Sequence, residues 1–85
     1  MRNPMRNPIV IIRNPVAYAD GSGEFVGRVE SAHKTREGAW RRYNAAQKAS
    51  RWANPGTHLN IAVIAVSSPN EPVVNGTTRG KPAPL

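Results

Sequence analysis

Thr35 to Trp52, TREGAWRRYNAAQKASRW, is the stretch that decides the fold, because it carries a clear helical period. At 100° per residue Ala39, Tyr43, Ala46, Ser50 and Ala53 fall on one side, with Ala49 at its margin. Arg41, Asn44, Lys48, Arg51 and Trp52 fall opposite. Thr35 is a good N-cap, since its hydroxyl can accept from an otherwise unpaired first-turn N–H, and Glu37 sits where the helix dipole favours an anion. Gly38 weakens that turn by roughly 1 kcal/mol relative to alanine. Asn54-Pro55-Gly56 ends the helix. Its apolar face is nearly all small with Tyr43 as the one large anchor, which predicts a helix lying close against a sheet. Arg36 and Arg42 flank that face and are long enough to reach over it to water.

Working outward toward the N-terminus, Glu24 to Ala32 reads as a strand that puts Phe25, Gly27 and Val29 on one face and Val26, Arg28, Glu30 and Ala32 on the other. Gly27 leaves a gap, and Tyr18 is the expected filler. Asp20-Gly21-Ser22-Gly23 supplies a hairpin loop, and Val16 to Ala19 resumes a strand begun by the β-branched run Ile9-Val10-Ile11-Ile12. Pro15 interrupts that strand and implies an edge or a bulge. The glycines at 21, 23 and 27 do not match a phosphate-binding loop in spacing, and a strand follows them where a helix N-terminus would be required.

Toward the C-terminus Thr57 to Val66 is the next strand, and Ile61 to Val66 is apolar on both faces, as a central strand is. A crossover through the helix makes it parallel to the second strand and beside the first, in the order 2-1-3. That order puts Pro15 in the central strand, so either Pro15 lies at a bulge or the last strand pairs with the second. The fold class expected is therefore α+β: a small three-stranded β-sheet with one α-helix on one face, in the order β-β-α-β, over residues 9–66.

The flanks read differently. Met1-Arg2-Asn3-Pro4 is repeated as Met5-Arg6-Asn7-Pro8, and residues 1–8 are expected to be an extended, mobile basic arm. Ser67 to Leu85 holds four prolines and few apolar residues and reads as a mobile tail. Within it Asn75-Gly76 lies between Val73-Val74 and Thr77-Thr78, the cue for a short hairpin at 73–78, although arms of this length are marginal alone.

At 85 residues there is room for one small domain with a modest core. No cysteine is present, so disulfides and thiolate metal sites are ruled out. The two apolar runs fall far short of the roughly 18 residues a membrane span needs, so a cytoplasmic protein with no membrane partner is expected. His33 and His58 lie on different elements, and Glu30 with His33 on a strand point to opposite faces; no metal, cofactor or catalytic constellation is implied, and the chain is not expected to be an enzyme.

Charge points to a binding role. The chain carries a formal +7, and Lys34 with the helix segment holds six of its twelve Lys and Arg residues against Glu37 as the only acid there. A face of Arg41, Asn44, Lys48, Arg51 and Trp52 combines phosphate-seeking cations with a ring able to stack on bases. Arg2 and Arg6 in the arm are placed to add backbone contacts. Trp40 borders the apolar face and is expected to be partly buried. The same cations on an ordinary solvated helix face would serve solubility alone. The leading expectation is a non-enzymatic module that binds DNA or RNA without sequence choice. The alternative is a protein-binding module, an inhibitor or an assembly component of phage or plasmid type, acting through a bare sheet face or an open strand edge.

Overall fold

The computed structural model describes residues 8–67 and 76–85. They form strand β1 (Ile9–Ala17), strand β2 (Phe25–His33), helix α1 (Arg36–Ala53), strand β3 (Ile61–Val66) and strand β4 (Thr77–Pro82). The class is α+β as expected, but there are four antiparallel strands where the sequence predicts three, and they close into a barrel in the order β1-β2-β4-β3. The fourth comes from the segment read as a tail. The short hairpin expected at 73–78 lies partly outside the described residues; Thr77 and Thr78 pair with Arg28 and Gly27 of β2.

Of the two arrangements the sequence leaves open, β1 lies between β2 and β3 and pairs with both, so that β3 runs parallel to β2 across it. Pro15 is accommodated at a bulge. The β1–β2 register shifts between Arg13 and Val16, Asn14 turns to φ 51°, and the pairing with β3 stops at Arg13. A proline with no N–H to donate thus falls where β1 has no β3 partner.

The run Ile9-Val10-Ile11-Ile12 is buried throughout, and its alternation divides the core in two. Ile9 and Ile11 join Val63, Ala39 and Ala83 under the helix, with Trp40 and Tyr43 packed against them. Val10 and Ile12 join Ile64 inside the barrel, with Phe25, Val29 and Val66 around them. Ile12 and Ile64 are completely enclosed, each worth about 1.5–3 kcal/mol of burial. The gap at Gly27 is taken by Ile12 and the Arg13 carbonyl, and not by Tyr18: a Cβ at Gly27 would lie 2.8 Å from that carbonyl oxygen. Tyr18 is exposed, its ring 3.9 Å beneath the Arg79 guanidinium carbon.

The helix begins and ends as its sequence predicts. The Gly38 N–H donates to Thr35 Oγ1 at 3.0 Å, and the Asn54 N–H closes the last turn on the Ser50 carbonyl at 2.9 Å. Its buried side is rotated slightly from the expected one. Ala39 and Gln47 are buried, Tyr43, Ala46 and Ser50 are half-buried, and Ala53 is exposed. Gln47 clasps the strand-entry loop: its amide donates to the Leu59 carbonyl at 2.9 Å and accepts from the Leu59 N–H at 2.8 Å. Trp40, half-buried with its ring edge-on to Tyr43, donates from Nε1 to the Ala83 carbonyl at 2.8 Å and so ties the chain beyond β4 to the helix.

Candidate functional site

The five helix residues expected to make the contact lie on the outer surface. Arg41, Asn44, Lys48, Arg51 and Trp52 are all exposed. Arg41, Lys48 and Trp52 share the sector opposite Tyr43 and Ser50, with Asn44 and Arg51 on one flank. From Arg41 to Arg51 the cations span about 15 Å of helix at 1.5 Å per residue. Arg2 and Arg6 lie outside the described residues.

The electrostatics of this face follow from what its cations lack. Among the described residues the ion pairs join Arg13 to Glu30 at 2.6 Å and Arg79 to Asp20 and Glu24, and the helix cations enter none of them. Asp20, Glu24 and Glu30 are thus engaged on the barrel side, and Glu37 in the first turn is the one acid on α1 against its five Lys and Arg residues. Among the described residues Trp52 is the most exposed large apolar side chain, 81% accessible. It stands with Ala45, Ala49 and Ala53 beside the stem of Lys48 in an open apolar patch on the helix.

The acidic hairpin loop forms a separate, internally satisfied cluster. Glu24, buried, accepts from Arg79 Nε at 2.9 Å and from Ser22 Oγ at 3.2 Å. Asp20 accepts from the Ser22 N–H at 2.9 Å; hydrogen bonding to Ser22 holds its carboxyl below the ordinary carboxylate value, and the Arg79 charge adds a smaller push the same way. The Arg79 guanidinium is correspondingly pushed up, first by its hydrogen bond to Glu24.

The molecule also carries a concave surface that the sequence did not signal. Between the flank of α1 and the bulged corner of β1 lies a cleft of about 380 Å³, with Ile11, Leu59 and Ile61 among its walls and Asn14, Asn60 and Arg42 among its polar lining. Pro15 signalled the bulge from sequence, but nothing local signals that Asn14 meets Asn60. The face of the sheet opposite the helix is rolled into the barrel and filled, so the described residues leave no bare apolar sheet face. Among the described residues, Glu30 to His33 at the end of β2 lie beyond the pairing with β4.

The described residues together define a small antiparallel β-barrel carrying an external helix whose cationic face enters no ion pair among them. No protein-family model matches the chain, and neither a curated protein nor a solved structure is significantly similar to it. No helix among the described residues is long and apolar enough to cross a membrane.

Proposed function

We propose that the chain is a non-enzymatic nucleic-acid-binding module whose contact surface is the outer face of α1. The observation that carries this reading is the coincidence of Arg41, Lys48 and Arg51, exposed and without an ion-pair partner among the described residues, with the 81% exposed ring of Trp52 on one helix. Cations held on a rigid helix neutralise phosphates and release counterions, and an exposed indole beside them offers a stacking platform for an unpaired base. Asn44 supplies an amide on the same surface, and Arg2 and Arg6 of the arm add backbone contacts. Nothing in this arrangement favours a particular base sequence.

The salt dependence of binding tests it. Each lost phosphate contact lowers the steepness of log K against log salt by about 0.9 on duplex DNA and about 0.7 on a single strand. The Arg41→Ala/Lys48→Ala/Arg51→Ala variant should therefore lose about 2 to 3 units of slope on duplex while keeping its fold, since alanine is a good helix former at exposed positions. A parent protein that binds no nucleic acid at low salt removes the reading. The protein-binding alternative then gains, on the apolar patch of Ala45, Ala49, Trp52 and Ala53.

A further inference from the structure

We infer that the cleft between α1 and the bulged corner of β1 is a pocket for a single nucleobase, presented by the strand whose phosphates α1 holds. The inference rests on the nucleic-acid reading for its biological source but on the cleft alone for its chemistry. About 380 Å³ lies at the small end of ligand pockets, room for one heterocycle and its sugar. Its walls include the apolar side chains of Ile11, Leu59 and Ile61, suited to the faces of a ring.

The polar lining is held from the backbone. The Asn14 N–H donates to the Asn60 carbonyl at 2.8 Å, which sets the two residues side by side, and Asn60 Nδ2 approaches Asn14 Oδ1 at 3.5 Å. With that donor and that acceptor turned toward each other, Asn14 Nδ2 and Asn60 Oδ1 are left as an adjacent donor and acceptor. Each of the four common bases has an edge with an acceptor next to a donor, so the pair can take any of them, in keeping with a surface that makes no sequence choice. Asn14 adopts this place at φ 51°, ahead of a proline that restricts it further. Asparagine is among the non-glycine residues that take this conformation most readily, and here its amide lines the cleft.

Charge completes the site. Arg13 and Glu30 in the lining neutralise each other at 2.6 Å. Arg42 borders the cleft, is exposed, and has no ion-pair partner among the described residues, which leaves it to meet the phosphate attached to the base.

Two measurements decide it. Adenosine and uridine monophosphate, titrated to millimolar concentration, should move the amide resonances of Ile11, Asn14, Ser31, Asn60 and Ile61; no shift there, or shifts confined to the outer face of α1, overturns the pocket whatever oligonucleotides do. Second, a single-stranded oligonucleotide should bind more tightly than an abasic strand of equal length. Asn14→Gly, which suits the positive φ and removes the amide, and Asn60→Ala should each shrink that preference by about tenfold, with the salt slope unchanged. Retention of the full preference in both variants overturns the pocket while leaving the helix-face reading intact. Loss of slope in the helix triple variant bears on that reading alone.

Discussion

Arg79 on β4 donates to the buried carboxylate of Glu24 from both Nε and Nη2, at 2.9 and 2.5 Å on the same oxygen, and reaches Asp20 at 3.0 Å from Nη2. One guanidinium thus fastens the last strand to the hairpin loop between β1 and β2. Arg79→Ala leaves Glu24 buried without its counter-charge. Removing the partner of a buried carboxylate leaves an uncompensated charge in a site 7% exposed, so the variant should be less stable than the parent. Chemical denaturation of the variant checks this. The cluster also has a pH signature. Because the folded carboxyl of Asp20 lies below its ordinary value of 3.8, its contribution is present above that value and lost as pH falls through the lower folded value. Asp20→Asn should remove that part of the acid sensitivity.

Gly80 is where β4 passes from β2 to β3, pairing with Phe25 on one side and Val66 on the other. A Cβ there would run into the Ala65 carbonyl, a backbone group that cannot step aside. Gly80→Ala should therefore cost about 1–3 kcal/mol and loosen barrel closure, not only lower overall stability. Amide exchange reads the difference: Ala83, bonded to the Val63 carbonyl, should exchange much faster while Ile12 and Ile64 stay protected. Unchanged protection at Ala83 would show that closure does not depend on this contact.

Gln47 is buried at 4% exposure and holds both backbone groups of Leu59. Gln47→Leu puts an apolar side chain in its place and leaves both Leu59 backbone groups without their partner, so about 1–3 kcal/mol should be lost. A melting temperature equal to or above the parent's would mean that the position wants bulk and not the amide.

These residues also mark what could be read from the chain and what could not. The helix was legible because its signals are local: the Thr35 cap, the Asn54 end and the cationic side are all written within one period. The exposure of Arg41, Lys48, Arg51 and Trp52 follows from that same period. β4 was not legible, because Thr-Thr-Arg-Gly-Lys-Pro has no apolar alternation. It is held by the fit of Gly80 on Ala65, by Arg79 on Glu24 and by the Ala83 bond to Val63, all made with residues distant in sequence. Gln47 sits at the edge of the apolar face, where a polar residue reads as surface until the loop it clasps is in place. The cleft likewise depends on a bulge residue meeting one 46 positions away.

Trp52 separates stacking from charge on the proposed contact face. At 81% exposure its ring contributes little to packing, so Trp52→Ala should leave stability within about 0.5 kcal/mol of the parent. If a base stacks on it, binding to a single strand should weaken by about 1–3 kcal/mol with the slope against salt unchanged, since no phosphate contact is lost. The triple variant of Arg41, Lys48 and Arg51 should behave the opposite way, with a shallower slope and its stacking retained. On duplex DNA, where bases are already stacked on each other, Trp52→Ala should matter far less. Equal weakening on both substrates would place Trp52 against the backbone. No weakening on either would free the ring and its alanine neighbours for a protein partner, detectable as a loss of self-association or complex formation in the same variant.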